Sequence, residues 1–304
     1  MRKEFTMAGV TVFLWGTSAP VCKVLLADTT NMEVLCCASI FAALSLLAVI
    51  LVKGQWKELR QYTPKDLGRL CLLGFTGYFL YSAFYYQGIT YLDAQVACIV
   101  NYLWPIFTVC FACLILKETF SGAKLLALLL SFGGVIVVML RPGQGLSFSG
   151  DQLKGYLSCI LAAALYGLFC NLNKKQGGNQ LINMFCYHIL SAVCALVCCL
   201  VTGFAPVSGG HIVGFLWLGV FVNATGYLLW ALALQGSRAA AISNFAYGTP
   251  AIALLLSHFF LGEPLYITSI LGLALILTGF FLQMYLTNRR KEQERNLPYD
   301  RSAT

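Results

Sequence analysis

The sequence predicts an all-α polytopic membrane protein, with ten transmembrane helices arranged as two inverted repeats of five helices each. Three observations lead to this prediction: charged residues are scarce, ten apolar stretches divide the chain, and its two halves repeat one another. Only 11% of the 304 residues are charged and 59% are hydrophobic, whereas a soluble domain carries about 25% charged residues. A soluble protein of any size needs a polar surface, so this deficit indicates a surface that faces lipid.

Ten apolar stretches follow one another along the chain, each long enough to cross a bilayer at about 20 residues per span. The predicted spans are 6–27, 32–52, 67–88, 92–116, 121–140, 152–173, 181–202, 211–235, 239–261 and 266–286. The first is too long for a signal peptide, lacks a small-residue cleavage site and is followed directly by another span. The polar and charged residues after Leu286 predict a disordered tail.

Lysines and arginines are distributed unevenly between the two sides of the predicted bundle. All but three of the 20 fall on the side that holds both termini; Arg141 and Lys154 lie on the other side, and Lys23 lies within the first span. Because cytoplasmic loops carry the excess of basic residues, we expect both termini in the cytoplasm and a multi-pass protein of the cell inner (plasma) membrane. The net charge of +8 follows from this topology and does not indicate nucleic-acid binding.

The two halves of the chain align when one is shifted along the other. A shift of 145 residues places Pro105 on Pro250, Glu118 on Glu263 and Gly134 on Gly279, and a shift of 151 places Trp15-Gly16 on Tyr166-Gly167 and Lys23 on Lys174. Because five spans separate equivalent residues, equivalent helices cross the membrane in opposite directions. Many secondary transporters use this plan to alternate between two mirrored states around a central site. The predicted units are residues 1–145, residues 150–288 and a cytoplasmic tail of residues 289–304.

The duplicated motifs resemble those of the drug/metabolite transporter superfamily, in particular its ten-helix EamA type, whose members include exporters of amino acids and other metabolites. The resemblance rests on the Trp-Gly…Lys pattern of span one, the glutamates that end spans four and nine, and the glycine-rich spans five and ten. It covers residues 6–286. It implies a basket in which spans 1, 3, 4, 6, 8 and 9 surround a central cavity and spans 5 and 10 lie at the back.

Polar and aromatic residues recur at helical spacing along one face of these six spans, as expected of helices that line a cavity. The predicted substrate-binding residues are Trp15, Tyr78, Tyr81, Tyr85, Asn101, Trp104, Tyr166, Asn223, Tyr227, Trp230, Asn244 and Tyr247. Aromatic rings with amide hydrogen-bonding groups suit an amphipathic zwitterion, which favours a small-metabolite transporter and in particular an amino-acid exporter. The same rings can also form a cation–π cage for a choline-like or drug-like cation. The substrate, the direction of transport and its coupling to protons stay open.

Two prolines, Pro105 and Pro250, lie in mid-span at equivalent positions. Each removes a backbone donor and kinks a helix, so the pair predicts either hinges with a role in gating or static bends that shape the bundle.

Few charges lie within or beside the spans. Lys23 either reaches the membrane surface or holds a carboxylate at the mouth of the cavity. Glu118 and Glu263 immediately precede spans five and ten, where a carboxylate is expected to cap the following helix. Proton coupling would involve His188 or His258.

The sequence lacks the motifs that are typical of other classes of function. The chain contains no HExxH or GxSxG motif and no paired intramembrane aspartates, which argues against an enzyme. The cysteines lie almost all in apolar runs and are interpreted as core residues, so no metal and no cofactor is expected. The predicted partners are a small-molecule metabolite and the lipid bilayer. The glycines of spans five and ten suit packing within the basket or against a second copy in a homodimer.

Overall fold

The structure, a computed structural model, describes residues 2–115, 122–140, 149–173, 176–234 and 244–296. Within these ranges the chain forms ten apolar helical segments and no strand. In chain order they are α1 (Arg2–Leu25), α2 (Asn31–Val52), α3 (Pro64–Tyr91), α4 (Ala94–Ile115), α5 (Gly122–Met139), α6 (Gly150–Asn173), α7 (Gln180–Thr202), α8 (Gly209–Ala233), α9 (Gly248–Leu261) and α10 (Ile267–Asn296). Eight of these helices are long and apolar enough to cross a membrane, and α5 and α9 contain shorter apolar stretches. The chain is a multi-pass membrane protein, and the predicted all-α fold class is confirmed.

The first helices begin where the sequence provides side-chain caps. At the start of α2, the Glu33 N–H donates to the Thr30 hydroxyl at 3.2 Å, and the Thr30 N–H donates to the Glu33 carboxylate at 2.7 Å. Thr63 and Asp66 form the same reciprocal pair at the start of α3. Such capping boxes satisfy backbone donors that a helix leaves unpaired in its first turn.

Helices that line the centre of the bundle show two pairs of irregularities at positions related by the repeat. α3 contains a π-helical segment over Phe75–Leu80, and α8 contains a longer one over Trp217–Gly226. α4 is interrupted at residues 102 and 103, and a 3₁₀ turn over Asn244–Tyr247 precedes α9. Shifts of 145 residues relate both pairs of irregularities.

Neither of the two prolines lies in the middle of a continuous helix, which is the position where a proline is expected to introduce a kink. Pro105 is the second residue of the α-helical stretch Trp104–Ile115, and Pro250 is the third residue of α9. Each proline therefore stands in the first turn after an interruption, where the backbone N–H that it lacks has no partner within the helix anyway.

The glycines of α5 and α10 hold these two helices against each other. A Cβ atom on Gly134 would lie 2.6 Å from the carbonyl oxygen of Gly272, and one on Gly279 would lie 2.8 Å from the carbonyl oxygen of Ala127. A shift of 145 residues converts the first contact into the second. The glycines thus serve packing within one chain, the first of the two roles predicted for them.

A second duplicated contact joins the two halves around the centre. Gly16 of α1 packs against Ile252 of α9, and Gly167 of α6 packs against Phe107 of α4. The shift of 151 residues relates the two glycines, and the shift of 145 relates their partners. α1 therefore lies on α9 as α6 lies on α4.

The C-terminal boundary differs most from the prediction. α10 continues as a helix to Asn296, so the disordered tail predicted after Leu286 is wrong for residues 287–296. The sequence Asn-Arg-Arg-Lys-Glu-Gln-Glu-Arg-Asn consists largely of strong helix formers, which extend the apolar helix although their polarity ends the membrane span. The predicted start of span nine at residue 239 lies outside the described residues.

Candidate functional site

A cavity of about 100 Å³ lies where the two halves of the bundle meet, lined by residues of α1 to α4 and α6 to α9. Nine of the twelve predicted substrate-binding residues line it: Trp15, Tyr78, Tyr81, Tyr85, Asn101, Trp104, Tyr166, Asn223 and Tyr227. The structure therefore brings together most of the polar and aromatic faces that the sequence indicated separately on different helices.

The other three predicted residues are not among those that line the cavity. The Trp230 ring packs against Trp15 with centroids 5.2 Å apart. The Tyr247 ring packs against Phe280 of α10 with centroids 4.3 Å apart. Asn244 begins the 3₁₀ turn before α9, and its side chain lies outside what the structure describes.

Stacked and edge-on aromatic rings build the walls of the cavity. Tyr166 of α6 contacts Tyr81 of α3 at 4.8 Å between centroids and stands at 86° to Trp104 of α4 at 5.3 Å. On the other side, Trp15 of α1 contacts Tyr227 of α8 at 5.0 Å. Since aromatic pairs favour tilted and edge-on geometries, these contacts hold the rings in fixed orientations around the cavity.

Several polar atoms of the wall are buried without a partner in the described part of the chain. The Asn101 amide donates to the Tyr81 hydroxyl at 3.2 Å, but its oxygen is unpaired, as are the indole nitrogen of Trp15 and both ring nitrogens of His188. A buried unpaired polar group costs about 1–3 kcal/mol. The wall therefore holds hydrogen-bonding capacity that a bound molecule can use.

Helices α2 and α7 also contribute to the cavity, which the sequence pattern did not predict. Ser39 of α2 and Ser191 of α7 both line it and bond to each other at 3.2 Å, and His188 of α7 lines it as well. The available signal was a histidine and a serine one turn apart within a strongly apolar run. In the sequence alone, this signal indicates only that His188 is a candidate for proton coupling.

Among the described residues that line the cavity, none is an Asp, Glu, Lys or Arg. The cavity thus presents aromatic faces and neutral polar groups, and its electrostatic field comes from dipoles and ring quadrupoles. Within the described part of the chain, charged side chains lie instead at the turn between α3 and α4, which we call the α3–α4 hairpin (residues 89–95): Asp93 belongs to the turn itself, and Lys23 and Glu263 lie beside it.

Lys23 of α1 binds the backbone on the α3 side of the α3–α4 hairpin. Its ammonium group donates to the carbonyl oxygens of Ile89, Thr90 and Leu92 at 2.8, 3.3 and 2.6 Å. These carbonyls end α3, where a cation is favoured by the helix dipole. Lys23 therefore binds backbone rather than extending freely to the membrane surface.

Glu263, from the link between α9 and α10, closes the other side of the hairpin. Its carboxylate accepts the N–H groups of Ala94 at 2.6 Å and Gln95 at 3.1 Å, and the Gln95 side chain donates to the Pro264 carbonyl at 2.9 Å. Burial raises the pKa of the Glu263 carboxyl and the Asp93 charge raises it further, although the two N–H donors and the nearby Lys23 charge act in the opposite direction.

This geometry corrects the predicted role of Glu263. Its position directly before α10 predicts a cap for that helix, but its carboxylate caps α4 of the other half. Glu118, its equivalent in the repeat, lies outside the described residues. The side chains of Lys23 and Glu263 thus fasten the α3–α4 hairpin to α1 and to the α9–α10 link.

A helical bundle of this kind, duplicated across two halves around a charge-free cavity, defines the class of multi-pass membrane transporters of small molecules. The EamA-like transporter family matches residues 3–140 and 153–285, and the chain belongs to this family. The resemblance seen in the sequence is thereby confirmed.

Relatives and a solved structure agree with this assignment. An uncharacterized transporter of Clostridium kluyveri is 26% identical, over 100% of this chain and 99% of its own length. An uncharacterized transporter of Archaeoglobus fulgidus is 27% identical, over 92% of this chain and 98% of its own. A probable terminal-alkyne amino-acid exporter of Streptantibioticus cattleyicolor is 23% identical, over 76% of each chain. A crystal structure with 18% identity superposes with a TM-score of 0.67, covering 95% of this chain and 99% of the other, which shows the shared fold.

Proposed function

We propose that the protein exports a small amphipathic metabolite, an amino acid with an apolar or aromatic side chain, by alternating access. The observation that carries this proposal is the central cavity, whose walls are aromatic, uncharged and provided with unpaired hydrogen-bonding atoms. A zwitterion has no net charge to bury, its polar groups use the unpaired atoms, and its side chain packs on the rings. The exporter of Streptantibioticus cattleyicolor, an amino-acid exporter by name, lends support.

The proposal is tested by flux measurements on the purified protein in liposomes. Labelled phenylalanine, threonine and choline are supplied in parallel, each with and without a pH gradient. We expect phenylalanine to be transported fastest, because its ring complements the aromatic walls. Choline flux without amino-acid flux would overturn the proposal in favour of the aromatic cation cage, since aromatic faces bind quaternary ammonium groups.

The indole of Trp104 is expected to carry part of the substrate contact. Trp104→Ala should reduce phenylalanine flux at least about tenfold, because it removes a large ring whose burial contributes about 2 kcal/mol. Trp56, which is 44% exposed and does not line the cavity, gives the matched control Trp56→Ala, which should leave flux unchanged. Equal effects of both substitutions would contradict a substrate site at Trp104.

A comparison of two other tryptophans, Trp15 and Trp217, distinguishes an effect on substrate binding from an effect on stability. Trp15 and Trp217 are both half-buried, but the Trp217 indole N–H donates to the Thr17 hydroxyl at 2.8 Å, whereas that of Trp15 is unpaired. Trp217→Phe is therefore expected to cost about 1 kcal/mol more stability than Trp15→Phe, measured by thermal unfolding in detergent. Trp15→Phe should instead be the variant that lowers phenylalanine flux; the reverse ranking would contradict the assignment.

Alternating access is supported by the duplicated contacts and by the closed α3–α4 hairpin. With both termini in the cytoplasm of a cell whose inner (plasma) membrane holds the protein, this hairpin lies at the outer end of the cavity. Lys23 and Glu263 then form an outer latch. Their equivalents by shifts of 151 and 145 residues are Lys174 and Glu118, for which we propose an inner latch that closes when the outer one opens. Pro105 and Pro250 accordingly keep the proposed gating role at the interruptions of the two halves.

The proposed units are the two inverted repeats, residues 1–145 and 150–288, followed by the tail, residues 289–304. The α5–α10 contact uses glycines within one chain, so this contact does not itself require the second copy of the predicted homodimer.

A further inference from the structure

His188 stands out in the cavity wall because its hydrogen-bonding capacity is entirely unused. The side chain is 3% exposed, it lines the cavity, and neither ring nitrogen has a partner in the described part of the chain. Its ring stands at 82° to that of Tyr78, with centroids 4.8 Å apart. An imidazole buried in this way destabilises the fold, so packing alone does not account for it.

Neighbouring polar side chains of α7 are satisfied, in contrast to His188. The Tyr187 hydroxyl donates to the Asn173 amide oxygen at 2.8 Å, and Ser191 bonds to Ser39 at 3.2 Å. Ser191 and His188 both line the cavity, but of these two side chains only the imidazole beside Tyr78 is left unpaired.

We infer that His188 is a specificity-determining residue that binds the carboxylate of the transported amino acid, an inference that rests on the proposed function. A neutral imidazole has one N–H to donate to a carboxylate oxygen, and the unpaired indole N–H of Trp15 in the same cavity supplies a second donor. The ammonium group of the zwitterion is accepted by the unpaired amide oxygen of Asn101 and by the faces of the tyrosine rings.

This arrangement discriminates between substrates by their polar end. A zwitterion occupies donors and acceptors at once, whereas an amine that lacks the carboxylate leaves the imidazole N–H buried and unpaired. Sites built to hydrogen-bond a substrate group reject analogues without that group for this reason. Phenylalanine and phenethylamine, which differ only in the carboxylate, therefore report directly on His188.

The experiment compares kcat/KM for these two compounds in liposomes containing wild-type protein, His188→Leu or His188→Gln. His188→Leu should lower kcat/KM for phenylalanine about tenfold, mostly through KM, since a hydrogen bond to a charged group is lost. The value for phenethylamine should change less than about twofold, because it makes no such bond. His188→Gln, which keeps an N–H donor, should retain most of the preference, and His258→Gln, outside the cavity, should retain all of it.

Thermal unfolding distinguishes recognition from a structural role. His188→Leu replaces an unpaired polar group by an apolar one, so its melting temperature should equal or exceed that of the wild type. A lowered melting temperature with equal losses for both substrates would overturn the inference. An unchanged substrate preference in His188→Leu would also overturn the inference. It would leave the proposed function intact if phenylalanine is still transported. Absence of phenylalanine transport by the wild type would overturn both.

Discussion

Replacing Glu263 by glutamine is expected to open the proposed outer latch and to raise access to the cavity from outside about 30-fold. The carboxylate accepts two backbone N–H groups at the start of α4, and the side chain is 8% exposed. Glutamine keeps one acceptor but points its own N–H groups toward the second donor and removes the charge that the helix dipole favours. Losing a hydrogen bond to a charged group costs about 2 kcal/mol, which corresponds to that factor in the equilibrium.

Cys98 provides the measurement, because its thiol lines the cavity and is 3% exposed. Its rate of modification by a membrane-impermeant thiol reagent added outside intact cells, followed by mass spectrometry of its peptide, should rise in Glu263→Gln. Asp151→Asn is the control: this carboxylate pairs with Lys154 at 2.9 Å on the surface, where a salt bridge contributes about 0–1 kcal/mol. Unchanged labelling in Glu263→Gln would show that the hairpin is not a gate.

The repeat extends this test to the other side of the membrane. Glu118→Gln should weaken the proposed inner latch and so reduce outside labelling of Cys98, because the two latches close in alternation. Opposite effects of the same chemical change at repeat-related positions are specific to alternating access. A rise in both variants would instead indicate general loosening of the bundle.

The fold was accessible from the sequence because it depends on patterns that extend over many residues. Ten apolar stretches need no tertiary information to be recognised, and the motifs shared by the two halves reinforce one another. The contacts that the repeat relates, such as Gly16 with Ile252 and Gly167 with Phe107, were not accessible. They depend on how the halves are placed, which hydropathy does not specify.

Helical periodicity found most of the cavity face, including Tyr78 and Asn223 in the π-helical segments, but it failed at Tyr247 and Trp230. Tyr247 lies in a 3₁₀ turn, which has 3.0 residues per turn instead of 3.6, so a face extrapolated with the α-helical period points elsewhere. Trp230 follows the long π-helical segment of α8, whose wider turns alter the phase again. Neither irregularity has a clear signature in a single sequence.

The role of Glu263 illustrates a further limit of local reasoning. Its position before Pro264 made it a natural cap for the helix that follows, and the chemistry was predicted correctly. The helix that it caps belongs to the other half, because the tertiary fold brings the start of α4 within reach. Sequence indicates which chemistry a side chain can provide; only the packed structure tells which backbone receives it.

Gly134→Ala is expected to separate α5 from α10 and to lower the free energy of unfolding by about 3 kcal/mol, the cost typical of overpacking a tight contact. The added Cβ would lie 2.6 Å from the Gly272 carbonyl oxygen and 2.8 Å from the Ile276 side chain. A backbone carbonyl in a helix cannot rotate away, so the two helices must move apart along their contact. Thermal unfolding in detergent measures the loss.

Two other glycines provide comparison variants for this prediction: Gly133, the neighbour of Gly134 in the chain, and Gly279, its equivalent in the repeat. Gly133→Ala adds the same atom where nothing lies within 4 Å, so it should gain up to about 1 kcal/mol of helix propensity and unfold no earlier than the wild type. Gly279→Ala should lose about as much as Gly134→Ala, since its Cβ would lie 2.8 Å from the Ala127 carbonyl oxygen in the contact that the 145-residue shift relates to the first. Equal losses of unfolding free energy in Gly134→Ala and Gly279→Ala would establish that the two halves of the inverted repeat contribute equally to stability through this contact. A loss in Gly134→Ala alone would show that the two contacts differ: the contact at Gly134 is fixed, whereas the contact at Gly279 is free to slide during transport.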